Sequence, residues 1–170
     1  MMGRLLMWWM LGQFMISTTS PVNAQDTVSY RWGLPLLNIR VTSGFGDRIH
    51  PVTGQRDFHR GVDLAAHCDP VLSVLDGTVS QTGFNPILGR YVRINHGDFQ
   101  SVYGHLSIVL VTKGERVGVG QAIAITGATG RVTGEHLHFS IRFGSRYINP
   151  LRFLCRVAGP EPGQAFPITK

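Results

Sequence analysis

The sequence predicts a mostly β protein, a single antiparallel β-sheet domain whose long glycine-rich loops line a cleft. Three observations carry this. Glycine is abundant, 21 of 170 residues, while charged residues make up only 15%, a composition that suits tight turns. Short runs rich in β-branched and aromatic residues recur between turn signals. No stretch shows a sustained helical apolar stripe with caps. The length suits one domain with a real hydrophobic core.

Along the chain, residues 1–24 read as a signal peptide. Arg4 supplies a positive start, an apolar run extends from Leu5 to about Ile16, and Val22-Asn23-Ala24 fits a signal-peptidase site before Gln25. The run falls short of the roughly 20 residues that span a bilayer. An uncleaved anchor or a buried helix is the alternative. Residues 25–40 form an irregular lead-in, residues 41–155 the domain, and residues 156–170, with Pro160, Pro162 and Pro167, a loosely held tail.

Within the domain, Val71–Val74 and Gly77–Gln81 frame a turn at Asp76-Gly77. Tyr91–Asn95 and Gln100–Tyr103 make a hairpin around His96-Gly97-Asp98. Ile108–Val111, Ala122–Ile125 and His136–Arg142 are further strands, and residues 113–120 and 127–134 are glycine-punctuated loops.

The formal net charge is +6, and removal of residues 1–24 would take away only one basic residue. A basic exported protein is attracted to anionic lipid or wall polymer. No Lys/Arg cluster or interleaved aromatic stripe supports nucleic acid as a partner. An even pair of cysteines, Cys68 and Cys155, suggests one disulfide in an oxidising compartment. Two free thiols, or Cys68 as a metal ligand beside His67, are the alternatives.

Histidine is the informative residue. His136 and His138 flank Leu137. On a strand, residues i and i+2 face one side about 6.6 Å apart, so both can share a pocket, one binding a metal and the other assisting, or both binding. His59 and Asp63 are four apart. On a straight strand they would lie about 13 Å apart, too far for two ligands about 2 Å from one ion. His59 is therefore expected on a loop that turns in at Gly61, with Asp63 opening the next strand. Two imidazoles and a carboxylate leave a fourth position for water, the pattern of a catalytic zinc. No HExxH helix motif is present, so proton transfer falls to a histidine. His105, in Tyr103-Gly104-His105-Leu106, is the further candidate.

These pieces stand in the order of a known family. Ser43-Gly44-Phe45-Gly46-Asp47-Arg48-Ile49-His50-Pro51, His59-Arg60-Gly61-Val62-Asp63, Asp76-Gly77-Thr78-Val79 and Tyr103-Gly104-His105-Leu106 come first. Gly118-Val119-Gly120-Gln121, Gly127-Ala128-Thr129-Gly130, Gly134-Glu135-His136-Leu137-His138-Phe139 and Asn149-Pro150-Leu151 follow. From about Gly44 to Leu151 the chain resembles the LytM/lysostaphin-type zinc endopeptidases of peptidoglycan. The resemblance implies one zinc ion held by His59, Asp63 and His138, with His105 and His136 as catalytic histidines. It also implies hydrolysis of peptide cross-links in the cell wall. With the signal peptide removed, the chain is expected to be a periplasmic or secreted monomer with no stable membrane insertion. A non-catalytic member of the same fold, activating a separate wall hydrolase, is the rival reading. The chain departs from the family pattern at Glu135, where proline is common, at Ser140, where glutamate often stands, and at Cys68, where glycine is usual. His50, His67 and His96 are read as incidental or structural. Arg48 either orients a substrate carboxylate or ties down a loop.

Overall fold

The computed structural model describes residues 31–50 and 52–157; the expected signal peptide lies outside them. In chain order the elements are β1 (Val41–Ser43), β2 (Gly46–Ile49), β3 (Arg56–His59), β4 (Val62–Ala65), β5 (Pro70–Leu72), β6 (Gly77–Asn85) and β7 (Gly89–His96). Then follow β8 (Phe99–Leu106), β9 (Ile108–Val109), β10 (Arg116–Val117), β11 (Ala122–Ile125), β12 (His136–Phe143), β13 (Arg146–Ile148) and α1 (Pro150–Val157). The expected mostly β, antiparallel architecture is observed.

The main sheet runs β1-β4-β12-β8-β7-β6-β10, with β13 also paired to β12. A second sheet, β5-β11-β9, and the β2–β3 hairpin are the other sheets among the described residues. Alternation along β12 explains why it is central. Leu137, Phe139 and Ile141 are fully buried, while His136, His138 and Ser140 take the opposite face, since successive strand side chains point to opposite sides. On β4 the same rule sends Val62 and Leu64 into the core and Asp63 to the face shared with His138. Tyr103, Ile94, Val92 and Val79 extend the core along the sheet, and Val71, Ile123 and Ala124 join it from the second sheet.

Three expectations need correction. Residues 56–59 form β3, so His59 ends a strand rather than lying on a loop; the turn at Gly61 that separates it from β4 is as expected. A helix is present. Asn149 caps α1 by accepting the Leu151 N–H at 2.9 Å through Oδ1, and Pro150 opens it, a cap-and-proline start that the strand-by-strand reading overlooked. Its Phe153 and Leu154 are buried, and the Phe153 ring meets Trp32 at 4.7 Å between centroids. The lead-in is thereby partly held: Trp32 bridges Leu75 and Leu36 enters the core. The Cys68–Cys155 disulfide is not formed; both thiols are free and exposed. Cys155 lies on α1 just past the two residues that dock it, facing solvent. Cys68 sits in the turn after β4, its backbone N–H held by Glu135.

Candidate functional site

The cleft-facing side of β4 and β12 forms the floor of an open cleft of about 1070 Å³. One wall is the β2–β3 hairpin, with Ile49, Val52 and Phe58; the other is formed by residues 85–88 and 131–133. His50 lies in the hairpin turn. Its Nδ1 accepts the Val52 and Thr53 N–H groups at 3.1 and 3.3 Å, which occupies the ring in holding the turn. His96 is similarly engaged away from the cleft, with Nδ1 on the Asp76 carbonyl and Nε2 on Ser101 Oγ. Burial pushes its pKa down.

Antiparallel register sets His138 directly opposite Asp63 and opposite Gly104 of β8. The bend at residues 60–61 then folds His59 back over this pair. His138 Nδ1 stands 2.9 Å from Asp63 Oδ1 and 3.1 Å from His59 Nε2, and His59 Nε2 stands 3.2 Å from the same carboxylate oxygen. Gly61 makes room for this: a Cβ there would lie 2.7 Å from the His138 ring.

The tautomers follow from the outer contacts. His59 Nδ1–H donates to the Gly44 carbonyl at 2.7 Å and His138 Nε2 pairs with Ser140 Oγ at 2.9 Å. His59 Nε2 and His138 Nδ1 thus turn toward each other and toward Asp63. Burial lowers the His138 pKa, with Asp63 opposing. Burial alone would raise the Asp63 carboxyl, but its close contacts with the His138 and His59 rings outweigh this and hold it far below the usual carboxylate range. Two imidazole nitrogens and an ionised oxygen at 2.9–3.2 Å from one another approach the roughly 3.3 Å separation of ligands around a tetrahedral ion with bonds of about 2.0–2.1 Å. The donor set therefore fits a zinc-class cation.

Asp63 Oδ2 is taken by Arg48 Nη1 at 3.0 Å, and the same nitrogen reaches Ser43 Oγ. Arg48 thus grips the carboxylate from behind, a partnership that sequence reasoning did not name. The only signal was a basic residue in the Gly46–His50 stretch. Ser140, noted as a departure, fixes the His138 ring.

His105 reaches the site against strand alternation. Tyr103 points into the core, so regular pleating would send His105 the same way. A register shift between β7 and β8 places an extra residue here, and His105 adopts φ 63°; such bulges re-aim side chains beside active sites. Its ring lies 4.7 Å from His136 and 5.8 Å from His138 between centroids. His105 Nδ1 is anchored to the Thr129 carbonyl at 2.9 Å and His136 Nδ1 to the Gly134 carbonyl at 2.9 Å, so both Nε2 atoms are left for the cleft. His136 Nε2 stands 3.7 Å from Asp63 Oδ1, farther than His138. Burial lowers His105 to about 4. All five residues singled out in the sequence therefore meet on one floor.

Comparison with known proteins identifies the family. The description "Peptidase family M23" matches residues 57–150. The peptidoglycan DD-endopeptidase ShyC of Vibrio cholerae is 44% identical over 119 residues, 68% of this chain and 28% of its own length. A zinc-containing peptidase from Vibrio cholerae superposes with a TM-score of 0.61 at 41% identity, over 72% of this chain and 36% of that one. The catalytic domain of lysostaphin from Staphylococcus simulans gives a TM-score of 0.63 at 29% identity, over 69% of this chain and 92% of that one. The chain spans about a quarter to a third of the length of the curated relatives it matches, 24–31% for the first four. With a match over more than half its length, placed across the strands that build the cleft floor, the chain belongs to peptidase family M23.

Proposed function

We propose that this chain is an exported zinc endopeptidase that hydrolyses the direct peptide cross-links of bacterial peptidoglycan in the periplasm or outside the cell. The observation that carries the reading is the convergence of His59 Nε2, His138 Nδ1 and Asp63 Oδ1 on a cleft floor beside two further histidines whose Nδ1 atoms are held by backbone carbonyls. Relatives named as peptidoglycan DD-endopeptidases support the substrate class.

His59, Asp63 and His138 would hold the ion, which when bound would supply Lewis acidity toward a scissile carbonyl and lower the pKa of water. Arg48 occupies the second oxygen of Asp63 and keeps the carboxylate in one orientation. His105 enters the reaction neutral at physiological pH because burial holds its pKa near 4. With Nδ1–H fixed on a backbone carbonyl, His105 Nε2 and His136 Nε2 accept a proton from the attacking water, hydrogen-bond the developing oxyanion once protonated, and return the proton to the leaving amine. The cleft, open along its length between the two walls, admits an extended peptide.

The test is digestion of purified sacculi, with released fragments identified by mass spectrometry and metal content measured in parallel. Wild-type protein releases cross-link cleavage products, and His138→Ala loses both metal and activity. A metal-loaded wild type that leaves sacculi intact, yet stimulates a separate wall hydrolase, would replace this reading with the non-catalytic activator.

A further inference from the structure

Two of the sequence departures meet in space. Glu135 immediately precedes β12 and Cys68 lies in the turn after β4; the His136–Ala65 register brings the ends of these strands together. His67 stands beside them. Glu135 Oε2 accepts from His67 Nδ1 at 3.0 Å, and Oε1 accepts from the Cys68 backbone N–H and from Thr126 Oγ1 at 3.1 Å. One donor atom each from His67, Cys68 and Glu135 lie within 4.8 Å of one another.

The backbone adds a second observation. Cys68 adopts φ 52°, a left-handed conformation that glycine takes freely and a residue with a Cβ takes at a cost. A turn alone would be served better by glycine; a thiol is held there instead, beside an imidazole and a carboxylate. The cluster borders a second open groove next to the cleft, lined by His67, Glu135 and His136 among others, so ions reach it from solvent.

We propose that His67, Cys68 and Glu135 form a second metal site, separate from the His59–Asp63–His138 centre, that takes a borderline-soft divalent ion of the zinc class. Thiolate and imidazole select zinc or cobalt over magnesium and calcium, which prefer all-oxygen sites. Three protein ligands leave a fourth position to water. The ion clamps the turn after β4 to the residues that lead into β12. Gly134, whose carbonyl anchors His136 Nδ1, is in that segment, so occupancy steadies the His136 ring. This inference does not depend on the peptidase reading.

The test uses the chain without residues 1–24, stripped of metal and titrated with cobalt(II) under reducing conditions. The His59–Asp63–His138 centre contains no sulfur, so a near-ultraviolet thiolate-to-cobalt charge-transfer band reports the second site alone. Wild-type protein is expected to bind two equivalents and develop the band. Cys68→Gly, which suits the left-handed turn, is expected to bind one equivalent without the band. Glu135→Gln is expected to weaken the band-forming site about tenfold or more. His138→Ala is expected to lose the sulfur-free equivalent and keep the band, so failure at the catalytic centre stays distinguishable. Wild type with no thiolate band overturns the proposal and leaves Glu135 as a cap on the turn. A band that persists in Cys68→Gly overturns it in favour of Cys155.

Discussion

Replacing Gly61 by alanine should damage the candidate metal centre without replacing any residue assigned as a ligand. The added Cβ would lie 2.6 Å from Ser140 Oγ and 2.7 Å from His138 Cε1 and Nε2, where ordinary contact begins at 3.4 Å. The ring must therefore retreat by about 0.3 Å to reach the shortest contact a Cβ makes, at 3.0 Å, and by about 0.7 Å to reach ordinary contact. The β12 backbone cannot follow, because it is paired to β4 on one side and β8 on the other. The displacement falls on the His138 side chain, carrying Nδ1 away from its 2.9 Å contact with Asp63. Metal–ligand distances tolerate only about 0.2 Å. Affinity for zinc should fall about 10–100-fold, the scale seen when ligand-orienting contacts are lost. Hydrolysis should fall about 100-fold, the scale of a misplacement near 1 Å. Overpacking costs roughly 1–3 kcal/mol, offset by about 0.4–1 kcal/mol from the stiffer unfolded chain, so the metal-free variant should still fold. The measurements are zinc affinity by chelator competition, sacculus digestion, and thermal unfolding of the metal-free protein. Gly118→Ala, whose Cβ would meet only Asp76 Oδ1 at 3.7 Å, is the control. A folded Gly61→Ala protein with wild-type zinc affinity and turnover would refute the argument that this glycine creates the space for His138.

His105→Ala and His105→Gly should both keep zinc and lose about 10²–10⁴-fold in hydrolysis. The glycine variant should be the more stable by about 1 kcal/mol, because position 105 sits at φ 63°; equal melting temperatures would remove the backbone-strain account. Burial lowers His105 from 6.5 to about 4, so between these values the unfolded chain binds the proton and the folded chain does not. Stability of the metal-free protein should drop across that window as pH falls, more steeply than in His105→Ala; parallel urea midpoints for the two would contradict the shift. Metal-free protein under native conditions should titrate two reactive thiols, as both cysteines are free and exposed. A blocked pair that appears only after reduction would restore the disulfide.

The sequence by itself determined the β class and supplied the donor types of the candidate site. Alternation in Leu137, Phe139 and Ile141 against His136, His138 and Ser140 is a two-residue period that a strand must express, with one set buried and the other facing the cleft. The donor types at positions 59, 63, 136 and 138 likewise suit a cation, with the family resemblance singling out 138. Convergence was a different matter. His59 and Asp63 come within 3.2 Å only because the chain bends at Gly61 between β3 and β4, and His138, 75 residues later, joins them through antiparallel register. Periodicity says which side a residue faces but not which distant residue stands opposite. Spacing could not tell His138 from His136; the tertiary structure sets His138 nearer Asp63, puts Arg48 behind the carboxylate, and turns His105 toward the cleft through a bulge. It also kept the two cysteines free and brought Cys68 beside Glu135, because strand pairing fixes which chain ends share a corner of the fold, and no local pattern in either segment carries that information.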